Sequence, residues 1–96
     1  MLNIINQLFE IEKKASDQNL SLFERNFERI HYELEEMGYV INNPVGKPYD
    51  SRDTSLEANI IGNSSRLLVT KVLKPAIFQK DGNELVLLQK GIVIAE

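Results

Sequence analysis

Between Leu20 and Met37 the large apolar residues fall at Leu20, Phe23, Phe27, Ile30, Leu34 and Met37. The intervals alternate between three and four. Only a helix brings such residues onto one side, and only a narrow stripe of it. This is a heptad seam held for two and a half repeats, flanked by Glu24, Arg25, Glu28, Arg29, Glu33, Glu35 and Glu36 on the remaining faces. Gly38 follows the last seam residue and reads as the helix stop, with Pro44 soon after. The seam can pack on the rest of the chain or join two copies. Its strict spacing favours joining two copies, with Leu20, Phe23, Phe27, Ile30, Leu34 and Met37 as the dimerisation residues. Phe23 and Phe27 are bulky for a two-stranded coil, so a four-helix bundle of two hairpins is the other form open to it.

The segment before the seam is helical with a different offset: Ile4, Leu8, Ile11 and Ala15 form one row, beside Leu2, Ile5 and Phe9. The register shifts across Ser16–Asn19. Ser21-Leu22-Phe23-Glu24 has the form of a capping box. One long helix with a stutter and two helices with a break near residues 16–21 both fit, and we favour the two helices.

After Gly38 the period changes. Leu67–Val69 with Val72 and Leu73, then Leu85–Leu88, then Ile92–Ile94 are short apolar runs of strand type. Asn59-Ile60-Ile61 offers a further strand. Asp81-Gly82-Asn83 reads as a hairpin turn, pairing Ala76–Phe78 with Leu85–Leu87. Pro75 belongs at an edge or bulge, and Gly91 at a bend. Runs apolar on both faces imply a sheet covered on both faces. The expected fold is α+β: an N-terminal helix or helical hairpin over residues 1–38, the dimerisation segment, then a small, mostly antiparallel β domain over 39–96.

Charge narrows the function. Residues 1–38 carry eight acids and four bases, or −4; residues 39–96 carry six acids and seven bases, or +1. Neither half has the basic excess that phosphate backbones require, so no nucleic-acid partner is expected. No run approaches the length of a membrane span, and MLNIINQLFEIEKK lacks the form of a secretory signal. The absence of cysteine fits a reducing compartment, and a cytoplasmic location is expected.

Catalytic chemistry finds little footing. His31, the one histidine, lies mid-helix and reads as solvated. There is no phosphate-binding glycine loop and no nucleophile elbow. Asp50, Asp53 and Glu57 could form a carboxylate site. They read better as turn chemistry, with Asp50 or Asp53 capping a short helix through residues 55–58. No enzyme activity, catalytic residue, metal or cofactor is expected.

That leaves NNPVGKPYDSRDTSLEANIIG, residues 42–62. Pro44 and Pro48 stiffen it, Gly46 turns it, and Tyr49 is an aromatic that a flexible linker would not carry. It reads as an ordered loop packed on the β half.

Taken in order, LEEMGYVI, NPVGKPYD, EANI and a final QKGIVIAE resemble the C-terminal portion of the GrpE family, nucleotide-exchange factors of DnaK-type chaperones. Pro44, Gly46, Tyr49 and Asp50 match that family's P-x-G-x-x-F-D-P element. Glu57 and Ala58 match its H-E-A-V, and Ile92–Ala95 echo its last strand. The resemblance spans about residues 30–96. It departs at Ser51, where the family has proline, at Leu56, where it has histidine, and at Lys90-Gly91, where it has Arg-Pro. The resemblance implies a homodimer whose β domain wedges on a chaperone's nucleotide-binding domain. The contact residues expected on that basis are Val45, Lys47, Tyr49 and Arg52 in the loop and Lys80, Asp81 and Asn83 at the hairpin tip. A dimeric adaptor or scaffold subunit without exchange activity is the alternative.

Overall fold

A computed structural model describes residues 1–96. Two helices, α1 (Leu2–Asp17) and α2 (Glu24–Glu36), precede six strands: β1 (Tyr39–Asn42), β2 (Leu56–Ile60), β3 (Val69–Lys74), β4 (Ala76–Asp81), β5 (Glu84–Gln89) and β6 (Gly91–Ala95). The fold is α+β with an N-terminal helical region.

The helices form an antiparallel hairpin. Glu12 of α1 meets His31 of α2 (Oε1 to Nε2, 2.5 Å), and Ile5 and Leu8 cluster with Leu34, so partners descend α2 as α1 ascends. The break lies at residues 18–23. Asn19 adopts φ +55°, a left-handed conformation that asparagine tolerates better than most residues. The Leu20 N–H then donates to the Ala15 carbonyl (2.8 Å) and the Asn19 N–H to that of Ser16 (3.0 Å). This is a Schellman end, which satisfies two orphan carbonyls. The expected capping box does not form. Phe23 is the N-cap of α2 without a side-chain cap bond, and the Glu24 N–H bonds to the Ser21 carbonyl (3.2 Å) rather than to its hydroxyl. Gly38, at φ +91°, ends the helical region.

The strands make two three-stranded sheets, ordered β1-β4-β5 and β2-β6-β3. All pairings are antiparallel except β2 with β6. The first sheet divides its faces by alternation. Ile77, Tyr39 and Ile41 pack with Ile5, Leu8, Leu34 and Phe27 of the helices. Ala76 and Phe78 turn the other way, into a second cluster with Leu56, Val69, Val72 and Val93 of the second sheet. Phe9 of α1 also reaches this second cluster. Helices and strands therefore share a core, and Ile77, fully buried, is its centre on the helical side. Burying a side chain of that size stabilises the fold by roughly 1.5–3 kcal/mol.

One ribbon passes between the sheets. β3 becomes β4 across Pro75, which is fully buried, and β5 becomes β6 across Lys90 and Gly91. Register shifts flank Pro75 on both sides, between Val72 and Lys74 and between Ile77 and Phe78. The proline thus stands where the ladder is interrupted and a missing N–H costs nothing.

Three expectations change. The hairpin turn is the two residues Gly82-Asn83, with Gly82 at φ +62°, and its register is Asp81↔Glu84, Lys80↔Leu85, Gln79↔Val86 and Phe78↔Leu87. Ala76–Phe78 therefore does not oppose Leu85–Leu87 in step; a two-residue loop with glycine first fixes the slip. Residues 56–58 are strand β2, not a short helix. The sheets are not covered throughout either, because Leu85, Val86, Leu87 and Leu88 are all exposed.

Candidate interaction surfaces

Three regions carry the residues that sequence reasoning singled out. The first is the helical seam. Leu34 is 6% exposed and lies in the shared core, and Phe27 packs against it. Leu20, Phe23, Ile30 and Met37 are exposed, from 42% for Phe23 and Ile30 to 55% for Met37. The six seam residues are thus divided: two serve the chain's own core and four lie uncovered beside it. On α1, Ile4 and Ile11 are likewise exposed, although Leu8 and Ala15 of the same row are buried. Phe23 and Phe27 meet edge to face with centroids 6.3 Å apart.

The second region is the loop after β1. It is tied to the start of β3 and the two residues before it as a rudimentary extra strand. The Gly46 N–H donates to the Val69 carbonyl (2.7 Å), the Val69 N–H to that of Lys47 (2.9 Å), and the Tyr49 N–H to that of Leu67 (2.9 Å). Pro48 bridges Leu68. Tyr49 is half-buried against the second core cluster, so it pins the loop more than it offers a surface. Val45, Lys47 and Arg52 face solvent. Val45 also lines an open cleft of about 530 Å³ between α1 and β3, with Phe9, Glu12, Lys13, Lys71 and Val72.

The acids of the loop are all engaged by near neighbours. The Arg52 guanidinium grips Asp50 through Nε and Nη2, both at 3.1 Å, and the Arg52 N–H adds a bond to the same carboxylate (2.9 Å). The side-chain bond to Arg52 does most to hold the Asp50 carboxyl below the ordinary aspartate range, and Asp50 in turn raises the Arg52 guanidinium. Asp53 accepts from the N–H and hydroxyl of Ser55, at 2.9 and 2.6 Å. Glu57 lies 3.9 Å from Lys90. These are Asx-type turns and surface pairs. No three His, Asp or Glu side chains come together as a metal-binding group.

The third region is the tip of the β4–β5 hairpin. Lys80 sits 3.9 Å from Glu35, and its N–H donates to the Gly38 carbonyl (2.8 Å). Lys80 therefore flanks the end of α2, and Asp81 and Asn83 follow it at the hairpin tip. The loop with Val45 and Lys47 begins at the other end of β1. The two sets of expected contact residues are not brought together: β1, about 13 Å of extended chain, lies between them.

Sequence reasoning placed a strand at Leu85–Leu88 but not its exposure, and it did not find the Glu12–His31 contact that joins the helices. The signal for the first was available in Leu85–Leu88, four apolar residues running through both faces of one strand. Comparison of the chain with protein-family models, with curated proteins and with solved structures finds no match.

Proposed function

We propose that this chain is a non-enzymatic, protein-binding homodimer that acts as a GrpE-like nucleotide-exchange factor, its β domain wedging on a DnaK-type chaperone. The observation that carries the reading is the divided seam. Phe23, Ile30 and Met37 lie uncovered on a helix whose Leu34 is buried, and exposed apolar rows of this kind mark interaction surfaces. The order of parts, a helical region followed by a β domain with a pinned loop, supports the resemblance noted in the sequence.

The mechanism needs no catalytic side chain. The loop residues Val45, Lys47 and Arg52, held in place by Tyr49 beneath them, and separately the tip residues Lys80, Asp81 and Asn83, contact the chaperone. The exchange factor binds the open form of the nucleotide-binding domain better than the closed form, and bound ADP leaves. The shift can be no larger than that difference in affinity. Moving an open-to-closed ratio from 1:99 to 99:1 takes about 5.5 kcal/mol. The reading places the protein in the cytoplasm, where such chaperones act. No helix is long and apolar enough to cross a membrane.

The test is release of a fluorescent ADP analogue from a DnaK-type chaperone, timed with and without excess protein. Acceleration supports exchange. An unchanged release rate at excess protein removes it and leaves the second reading, a dimeric adaptor or scaffold subunit. The apolar edge of β5 favours that alternative, because it offers a place for a further chain.

A further inference from the structure

We propose that β5 is a second self-association surface, at which two copies pair their β5 strands antiparallel and fuse two three-stranded sheets into one of six. This goes beyond the helical seam and does not depend on it.

β5 is the outer strand of its sheet, paired with β4 alone. Leu85 is 55% exposed, Val86 43%, and Leu87 and Leu88 37% each. Edge strands in soluble proteins are ordinarily guarded by a charge, a proline or a covering element. Between Glu84 and Lys90 this strand has neither a charged residue nor a proline.

The free backbone groups can be assigned. The Lys80 N–H bonds to Gly38, on the β1 side of β4. Bonding direction alternates along a strand, so Gln79 and Asp81 bond toward β5, to Val86 and Glu84 in the observed register. The N–H and C=O groups of Leu85 and Leu87 then point outward, with no partner strand. A second copy related by a two-fold axis through Val86 places Leu85 of one copy opposite Leu87 of the other, twice. Each such pair exchanges two hydrogen bonds, and all four outward groups on each strand are satisfied. The same register stacks Leu85 on Leu87 on one face and Val86 on Val86 on the other. Cross-strand apolar pairs of this kind are the unit of sheet stabilisation.

Charge selects a second copy as the occupant. β5 begins beside acids, Asp81 and Glu84, and ends beside a base, Lys90. Antiparallel pairing sets the acidic end of each strand against the basic end of the other. With Val86 on the axis, Glu84 faces Leu88 of the second copy and has that copy's Lys90 as its diagonal neighbour, within reach of long side chains. A parallel neighbour of the same sequence would set acid against acid. The strand is its own antiparallel complement.

The test joins solution mass with amide hydrogen exchange on the full chain. The amides of Leu85 and Leu87 are expected to gain about tenfold or more in protection as the protein is concentrated and assembles. Val86→Lys, which sets two ammonium groups face to face on the axis, is expected to halve the mass and abolish that gain. Ile30→Glu is the control for the helical seam and is expected to leave the Leu85 and Leu87 protection intact. Leu85 and Leu87 amides that stay unprotected in an assembled protein, or a mass indifferent to Val86→Lys in a folded variant, overturn the proposal. So does a chain that stays monomeric at every soluble concentration, or protection that arises only with a different protein. If Val86→Lys fails to fold, exchange at the two amides of the unaltered chain decides alone.

Discussion

Gly91 and Leu56 sit so close that a β-carbon on Gly91 would lie 2.7 Å from Leu56 Cδ2. The same atom would be 3.1 Å from the Ala76 nitrogen and 3.3 Å from the Lys74 oxygen. The leucine tip can rotate away; the two main-chain atoms are held by the ribbon's corner. Gly91→Ala is therefore expected to destabilise the protein by about 1–3 kcal/mol, as overpacking does. Urea unfolding followed by circular dichroism measures it, and an unchanged midpoint would mean the corner is looser than described.

Ile77 is the second sensitive point. It is fully buried where β4 meets Ile5, Leu8 and Leu34. Ile77→Ala is expected to cost about 2–5 kcal/mol. Ile61→Ala, at a residue 54% exposed, should stay within about 0.5 kcal/mol. Equal losses at the two sites would contradict a core shared by helices and sheet.

Ile30→Glu probes the seam. The residue is 42% exposed, so the change should leave monomer stability within about 0.5 kcal/mol. On the proposed function it lowers the solution mass, because it sets a carboxylate into an apolar contact between copies. Leu34→Glu would not serve, since Leu34 is buried in the chain's own core and its loss would unfold the hairpin. Light scattering on Ile30→Glu returning the parental mass would remove the seam as an interface.

Asp50 supplies a pH signature. Its carboxyl is held below the ordinary range by the side-chain bond to Arg52, then by the Arg52 N–H. A folded-state pKa below the unfolded one stabilises the fold above the unfolded value. That contribution is lost as pH falls through the folded value. Both groups are exposed to solvent, so the readout is the titration itself. Carbon-detected NMR should find Asp50 titrating at lower pH than an ordinary aspartate. In Arg52→Ala the midpoint should move up toward that range, only in part because the main-chain bond remains. A midpoint indifferent to Arg52→Ala would show that the ion pair does not persist in solution.

Much of the architecture was legible because it rests on local signals. The three–four spacing announces α2, the offset of the Ile4 row announces a separate α1, and Gly38 marks the stop. The loop over residues 44–49 reads as ordered from its prolines and Tyr49. What stayed hidden is what distant parts of the chain decide. The parallel pairing of Leu56–Ile60 with Gly91–Ala95 has no local sign, because each strand alone reads as a generic apolar run. His31 looked solvated because its partner, Glu12, lies on the other helix. Ser21 carries the capping pattern, yet the Schellman turn at Asn19 consumes the connection before its side chain can be used. Of the expected contacts, Tyr49 faces inward, and the loop and tip sets lie at opposite ends of β1. Spacing along a chain does not reveal such separations.

The continuous ribbon that bends at Pro75 and Gly91 bears on how this small protein comes apart. Both its strands pass from one sheet into the other, so neither sheet can peel away without pulling two covalent connections through a tightly filled bend. Ala76 and Val93, both fully buried, lie just beyond that bend. Partial loosening of the β region is thereby penalised at once on both layers. Denaturation of residues 39–96 should follow a single all-or-none transition, with identical midpoints reported from either layer.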